Sequence, residues 1–472
     1  MSNKNKFGTE GLGILLRQQA IPASIGILIM SIYGIVDTFF VGRWVGPNGI
    51  GAITVVLPIV YLIASIGMSI GVGGASIISR ALGDKNEEKA YKTFANQVIL
   101  TLALASLIVF LCYVFIDDVL YAFGGKGEIQ KYAKDYFEVL LFGVPFLAWA
   151  MMSNNVIRAE GFPKVAMFIL IVPAVANIIL DPILIVGLDM GIKGAAWATS
   201  LSYVASASYA AWFFLFGKSD LKLKLKDLVL NWPIIKEIAS IGSVTLARQG
   251  TISVLSIVLN NSLFFYGGEM ALNIYGIIQR LMLFINFPVL GITQGFVPIV
   301  GYNYGAKLWD RVRGITNLSI KSASIIALAI FSLIMILAPQ IAAIFTDDAE
   351  LIARTAPAMR LTFLATPLLA ISLLGSAYFQ AIGKALPALL LALTKQGFFL
   401  IPLVLLLPLM FDLEGVWYAF PIADIGAAAI SYYYIQRNMD KLKAMKEEET
   451  KTEELPEEYD PEMFDFKPEK AN

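Results

Sequence analysis

The feature that most constrains the fold is a series of twelve apolar stretches, each long enough to cross a lipid bilayer as a helix. A crossing needs about 20 apolar residues, and only helices or closed barrels satisfy the backbone inside lipid. The chain is 57% hydrophobic and 15% charged, far from the usual composition of soluble domains. The sequence therefore predicts an all-α integral membrane protein whose spans lie near residues 17–42, 50–78, 93–116, 132–157, 164–187, 194–216, 237–266, 271–303, 315–337, 355–382, 385–410 and 415–437.

The loops between these stretches alternate in charge. One set is rich in Lys and Arg, as in the loop with Lys85, Lys89 and Lys92, whereas the other set includes acidic turns such as Asp117-Asp118. Because basic loops remain in the cytoplasm, we expect a multi-pass protein of the plasma (inner) membrane with both termini cytoplasmic. We expect the lipid bilayer as its surroundings, no nucleic-acid partner and a monomeric state.

The chain repeats itself once. The longest internal loop divides it into two halves of six spans, and an even number of spans gives both halves the same orientation. We therefore expect two lobes related by a pseudo-two-fold axis along the membrane normal. The matching motifs are GMSIGVGGASIISRALGDK (67–85) with GITQGFVPIVGYNYGAK (291–307), RAEGFPK (158–164) with QAIGKALP (380–387), and GAAWA (194–198) with GVWYA (415–419).

The repeat and the composition together define four regions. The last of them is strongly acidic, because residues 446–472 hold eleven Asp or Glu and four Lys, and such a polar segment is predicted to be disordered. The predicted regions are an N-terminal lobe at 1–216, a cytoplasmic inter-lobe loop at 217–236, a C-terminal lobe at 237–440 and a disordered acidic cytoplasmic tail at 441–472.

The residue types that the chain lacks exclude several kinds of chemistry. It has no histidine and a single cysteine, Cys112, which excludes a disulfide framework and Ser-His-Asp catalysis. No GxxxxGK[ST] segment is present, so ATP hydrolysis within this chain is not expected. We expect no enzymatic activity, no cofactor and no structural metal, and any proton must be carried by carboxylates.

Two lone acids interrupt the apolar spans, Asp37 in IGILIMSIYGIVDTFFVG and Asp181 in VAMFILIVPAVANIILDPILIVG. A charge at this depth costs about 2.5–3.5 kcal/mol and usually marks an ion or substrate path. Asn177 lies one helical turn before Asp181 and shares its face. Thr199, near the outer end of the sixth span, has a similar depth. These hard oxygen ligands suit either Na⁺ or a proton on a carboxylate, and both remain open.

Two prolines are predicted to bend these spans. Pro22 lies about four turns before Asp37, and Pro182 directly follows Asp181. Each removes one backbone donor and weakens the helix locally. A span that bends or straightens with the charge state of a carboxylate would form a gate.

The second half carries charges of both signs within its spans. Lys395 and Asp424 both fall near the bilayer centre by position, so an ion pair between them is predicted. This pair can be a structural contact or part of a substrate or coupling site, and the sequence leaves the two interpretations open. Arg248 and Arg280 also lie within apolar stretches.

The motifs resemble those of a known family. YGIVDTFFVG (33–42), VIRAEGFPK (156–164), NIILDPILI (177–185) and GIKGAAWATSLSY (191–203), together with residues 58–85, are similar to the multidrug and toxic compound extrusion (MATE) transporters. The details are similar to the DinF-like and MepA-like branch, and the resemblance covers residues 12–440. It implies two V-shaped six-helix lobes with a cation site in the first lobe.

The resemblance also implies residue roles and an activity. Asp37, Asn177, Asp181 and Thr199 would form the cation site with the backbone carbonyl of Ala195, and the implied neighbours toward the substrate are Tyr33, Tyr136 and Asn154. The implied activity is export of amphipathic, cationic drugs or toxic compounds in exchange for H⁺ or Na⁺. The alternative is a flippase for lipid-linked oligosaccharide or polysaccharide, which would need more cationic residues facing its cavity.

Overall fold

Helices account for nearly the whole structure, a computed structural model that describes residues 6–222 and 229–453. Short helices at Lys6–Thr9 and Ile116–Ala122 accompany the long ones. The long elements of the first half are α1 Leu12–Trp44, α2 Pro47–Gly83, α3 Glu87–Val114, α4 Glu128–Ala159, α5 Pro163–Asp181 with a π-helical continuation Pro182–Gly187, and α6 Gly191–Phe216. They form the first lobe.

The second lobe begins with a continuous helix, Trp232–Gly305, that we divide at Gly268, where φ is +61°. This gives α7 (232–267) and α8 (269–305). The remaining elements are α9 Trp309–Ala343, α10 Ala349–Ala381 with a 3-10 turn at Thr366–Leu368, and α11 Ala385–Leu406 with a π-helical turn at Thr394–Leu400. The last helix, Pro408–Glu453, is kinked at Phe411 and Asp412, and its part after the kink (413–453) is α12.

The predicted all-α architecture of twelve spans in two lobes is confirmed. Among the described residues, ten helices are long and apolar enough to cross a membrane. One of these, Trp232–Gly305, has 74 residues, which is about 110 Å of helix and therefore two crossings. The less apolar α6 completes the twelve.

Two predicted boundaries differ from the structure. The inter-lobe loop was expected to reach residue 236, but α7 already begins at Trp232, where Asn231 accepts a hydrogen bond from the Ile234 amide. The acidic tail was expected to be disordered from residue 441, but α12 continues to Glu453. Residues 441–453 are therefore helical because they extend an existing helix, which needs no new nucleation. The rest of the predicted tail, 454–472, lies outside the described residues.

The lobes share one hydrophobic core at one end and have separate cores at the other. The shared core lies at the end where the described chain begins and finishes, which we call the terminal end. It contains Ile77 of α2, Phe296 of α8 and Tyr378 of α10. Toward the opposite end, the far end, one core belongs to the first lobe and another to the second. The lobes therefore join at the terminal end and part at the far end.

Two glycines bring the lobes together at the terminal end. A Cβ atom at Gly83 of α2 would lie 2.0 Å from the carbonyl oxygen of Tyr302, and one at Gly305 of α8 would lie 2.0 Å from that of Arg80. Since real Cβ atoms do not approach a backbone so closely, only glycine permits this contact. Gly83 and Gly305 hold matching positions in the internal repeat, so the contact is reciprocal.

Polar contacts reinforce the same end. Ser76 donates a hydrogen bond of 2.6 Å to the carbonyl oxygen of Gln380, across the lobes. Arg80 and Lys89 of the first lobe both pair with Glu237 of the second, at 2.9 and 3.3 Å. These links stabilise the closure of the terminal end.

A buried carboxylate fixes the start of the inter-lobe loop. Glu160, just after α4, is 3% exposed. It accepts a 2.9 Å hydrogen bond from the Ser219 hydroxyl and bonds of 3.0 and 3.2 Å from the amides of Asp220 and Leu221. Burial raises the pKa of Glu160 to about 7, although these donors act in the opposite direction.

Candidate functional site

Four of the predicted cation-site residues come together within the first lobe. Asp37 lies on α1, Asn177 and Asp181 on the last turns of α5, and Thr199 on α6. Asn177 and Asp181 are fully buried, while Asp37 is 8% and Thr199 3% exposed. The packing of α5 against α1 and α6 thus collects side chains that are far apart in the sequence. We call these four residues the acid cluster.

The side-chain amide of Asn177 is at the centre of the acid cluster. Its nitrogen Nδ2 lies 3.3 Å from Asp181 Oδ1 and 3.3 Å from Thr199 Oγ1 and donates to both. The same amide also interacts with the Asp37 carboxyl group. Asn177 therefore links three helices and orients both acids.

Three oxygen atoms of the acid cluster have no hydrogen-bond partner within the described part of the chain. They are Asp37 Oδ1, Asn177 Oδ1 and Asp181 Oδ2. Buried polar atoms are normally paired, because an unpaired one loses its hydration without compensation. Three unpaired acceptors in one place are suited to receive a small cation or a proton.

No basic side chain of the described residues balances the charge of the acid cluster. Among residues 6–222 and 229–453, no Lys or Arg forms an ion pair with Asp37 or Asp181, whose carboxyl groups interact with each other. No group of three or more Asp, Glu, His or Cys suited to a metal ion occurs in this part of the chain. A monovalent cation fits two carboxylates and an amide oxygen. Ala195, whose carbonyl is the predicted fifth ligand, is fully buried one turn before Thr199.

A cavity of about 420 Å³ adjoins the acid cluster, between the lobes and away from the terminal end. Asp37 and Thr199 contribute to its wall, whereas Asn177 and Asp181 lie behind them. Asp37 is the one charged residue among the described residues of this wall. The wall is otherwise mostly apolar, with Phe284 and Phe287 from the second lobe. We call this space the main cavity.

Two of the three predicted substrate neighbours line the main cavity, and one does not. Tyr33 and Tyr136 are part of its wall. Asn154 lies on α4 three residues beyond Met151, which also lines the main cavity, or about 4.5 Å further along the helix. Its amide donates a 2.5 Å hydrogen bond to the Ala166 carbonyl, and its oxygen accepts from Arg158. The side chain of Asn154 is thus not part of this wall and ties α4 to α5, and its contact with a substrate stays a prediction.

Two cavity tyrosines were not predicted. Tyr203 is 7% exposed and follows Thr199 by one helical turn, and Tyr61 faces it from α2. Tyr203 also interacts with Tyr33. The four-residue spacing from Thr199 was a signal for Tyr203, but nothing in the sequence singles out Tyr61.

The two prolines behave differently. α1 passes through Pro22 as one helix, so the structure shows no break there. At Pro182, by contrast, α5 changes from α-helical to π-helical geometry. π-Helical turns are frequent at functional sites, and this one directly follows Asp181. Bending of either helix with ion binding stays a prediction.

The structure also brings Lys395 and Asp424 together. The Lys395 ammonium lies 2.5 Å from Asp424 Oδ1, and Lys395 belongs to the π-helical turn of α11. The pair borders a small cavity of about 40 Å³ in the second lobe. Asp424 is 5% exposed, so its charge is compensated within the protein.

The comparison with known proteins agrees with the repeat. The MatE family model matches residues 22–183 and again 245–406, which confirms the internal duplication. The multidrug export protein MepA of Staphylococcus aureus (strain NCTC 8325 / PS 47) is 28% identical over 421 residues, or 89% of this chain and 93% of MepA. MepA of Staphylococcus haemolyticus (strain JCSC1435) is 27% identical over 423 residues, or 90% and 93%.

Solved structures show the same architecture. A MATE crystal structure in the bent conformation superposes with a TM-score of 0.89 and 26% identity, covering 94% of this chain and 99% of the other. A multidrug resistance MATE family transporter of the MOP superfamily, in an outward-facing conformation, gives 0.86 and 27%, covering 92% and 99%.

Proposed function

The chain belongs to the MATE family of multi-pass membrane transporters, and from this premise we propose that it is a secondary antiporter driven by H⁺ or Na⁺. It exports amphipathic, cationic drugs or toxic organic compounds by alternating access. The observation that supports this most is the acid cluster, with three unpaired buried oxygens directly behind the main cavity.

Asp37 links the ion to the substrate in this proposal. It belongs to the acid cluster and also to the wall of the main cavity. A cationic substrate and the coupling ion therefore compete for one carboxylate. When H⁺ or Na⁺ neutralises the acids, the substrate loses its counter-charge and leaves.

Neutralisation also favours the change of conformation. A carboxylate moving into a drier environment loses hydration, and this cost disappears when a proton or Na⁺ accompanies it. The membrane potential adds about 2.3 kcal/mol per charge and 100 mV. The ion gradient can therefore reset the lobes after each export event.

The setting of this antiporter follows from the loop charges and the relatives. We expect the plasma membrane, with the terminal end in the cytoplasm, because the basic loops lie on that side. The relatives are named as export proteins, and we expect no catalysis by this chain. The flippase alternative gains no support from the main cavity, since no Lys or Arg occurs among the described residues of its wall.

The deciding experiment is efflux of a cationic dye such as ethidium from vesicles containing the purified chain. A pH gradient at equal Na⁺ is compared with a Na⁺ gradient at equal pH, and one of them should drive efflux. Asp37→Asn should abolish this drive while the protein remains folded and monodisperse. Gradient-driven efflux that persists in Asp37→Asn would refute the proposal.

A further inference from the structure

A second cavity, of about 100 Å³, lies between the lobes on the terminal side of the main cavity. Three helices, α2, α4 and α8, line both cavities one after the other. On α2 the wall passes from Ala64 of the main cavity to Met68 of the second, four residues or about 6 Å further along. The two cavities therefore form successive parts of one path between the lobes.

Two arginines line this second cavity. Arg158 of α4 is 2% exposed, and Arg248 of α7 is half-buried. Arg158 Nη2 lies 3.3 Å from Asn154 Oδ1, but Nε and Nη1 have no partner in the described part of the chain. Arg248 donates a 3.0 Å hydrogen bond to the Ser376 hydroxyl. Arg158 thus keeps two buried guanidinium nitrogens that no described group satisfies.

No acidic residue in the described part of the chain neutralises these arginines. The described wall of the cavity contains no Asp or Glu, and neither arginine forms an ion pair with any described carboxylate. Taking a charge out of water without a partner is costly, so buried charges are normally paired. The cavity is the reverse of the acid cluster, which holds two acids without a base.

The internal repeat shows that packing does not require a cation here. In the motif RAEG (158–161) Arg158 corresponds to Gln380 in QAIG (380–383), and both side chains line the same cavity from opposite lobes. A neutral amide therefore fills the equivalent place in the second copy. The positive charge of Arg158 is therefore not needed to pack this position of the repeat.

We propose that this cavity binds an anionic oxyacid group, a carboxylate or phosphate, of an amphiphile that passes between the lobes. Arginine guanidinium groups recognise such groups through paired, charge-assisted hydrogen bonds. Neutral donors at Ser79, Thr245 and Gln380 line the same wall. The apolar part of the ligand then extends toward Phe284 and Phe287. This inference rests on the proposed export function, whose substrate class it widens to zwitterionic and anionic compounds.

The test is equilibrium binding to the full chain in non-ionic detergent, with no ion gradient. Octyl phosphate is the anionic probe, and octylamine is the matched cationic probe. Arg158→Gln and Arg248→Gln should each weaken octyl phosphate binding about tenfold or more and leave octylamine binding unchanged. Arg280→Gln, which removes an exposed arginine outside the cavity, is the control and should change neither.

Inorganic phosphate distinguishes the source of the anion. Competition by inorganic phosphate at a comparable concentration assigns the cavity to free oxyanions, whereas competition by octyl phosphate alone assigns it to amphiphile headgroups. Arg158→Lys should recover part of the affinity because it restores the charge. If Arg158→Gln does not fold, Arg248→Gln carries the test.

Octyl phosphate affinity that is unchanged in both glutamine variants would overturn the inference, as would an equal loss in Arg280→Gln. The outcome is separable from that of the dye assay. Failed gradient-driven efflux with arginine-dependent anion binding would refute the antiporter and retain the cavity. Gradient-driven efflux together with anion binding that does not depend on the arginines would support the antiporter and refute the anion-binding cavity.

Discussion

Asp37 and Asp181 in the first lobe pair with no basic residue of the described chain, whereas Asp424 in the second lobe lies 2.5 Å from Lys395. Both lobes descend from the same six-helix pattern, since one family model matches each. The fold therefore accepts intramembrane acids in two ways, with or without a counter-charge. The fold itself therefore does not require that Asp37 and Asp181 lack a basic counter-charge.

The repeat makes this contrast specific. Aligning GAAWATSLSY (194–203) with GVWYAFPIAD (415–424) places Phe420 where the first lobe has Thr199, and Asp424 where it has Tyr203. The stretch GFFLIPLV (397–404), which follows Lys395, contains no acid equivalent to Asp181. At these positions the second lobe has no oxygen ligands equivalent to Thr199 and Asp181 and holds an ion pair instead, which favours ion coupling in the first lobe.

The largest expected effect is on coupled transport. Asp181→Asn should reduce gradient-driven dye efflux by about a hundredfold or more, a loss of about 2.7 kcal/mol. The double variant Lys395→Met with Asp424→Asn should stay within about threefold of the wild type, because it removes a neutral pair. An equal loss of efflux in Asp181→Asn and in the double variant would show that the acids of both lobes contribute to coupled transport.

At the terminal end the lobes should instead behave alike. Gly83→Ala and Gly305→Ala each force a methyl group against a carbonyl of the other lobe, at an expected cost of about 1–3 kcal/mol. The distance between spin labels at positions 85 and 307 should widen in both variants. Gly250→Ala is the control, since a Cβ there meets nothing within 4 Å. A widening in only one variant would contradict the reciprocal contact.

A smaller difference should appear in thermal stability. Lys395→Met leaves Asp424 buried and unpaired, which should cost about 1–2 kcal/mol because Lys395 is 26% exposed and partly screened. Adding Asp424→Asn should restore most of the loss. Asp181→Asn should lower the unfolding midpoint little, because it removes a charge that no basic residue of the described chain balances. A large destabilisation by Asp181→Asn would show that the acid cluster is a packing element.

The smallest effect concerns pH. Glu160, which occupies the repeat position of Ile382, has its pKa raised from 4.5 to about 7 by burial. Between these values the folded chain binds more protons than the unfolded one, so stability should fall as pH rises from 4.5 to 7. The unfolding midpoint should drop by a few degrees, roughly. Glu160→Gln should flatten this slope, whereas the exposed control Glu138→Gln should retain it.

Much of the fold could be predicted from the sequence. Bilayer thickness sets the length of each span, and the internal repeat divides the spans into two lobes. The acid cluster was also accessible, since Asp37 and Asp181 stand alone in apolar surroundings. The contacts of Asn154 with Ala166 and Arg158 were not, because the direction of a side chain around α4 cannot be read from a motif. Arg158 was overlooked because it lies at the end of an apolar span, where a basic residue ordinarily reaches water.

The reciprocal contact of Gly83 and Gly305 has a consequence for the origin of the chain. In a two-fold interface the same surface serves both partners, so that residue i meets j and j meets i. Tyr302 meets Gly83 as Arg80 meets Gly305, and these four positions correspond in pairs. A half-length ancestor with this surface could already have formed a homodimer. Gene duplication and fusion would then have kept the dimer interface while freeing each copy to change its own charges.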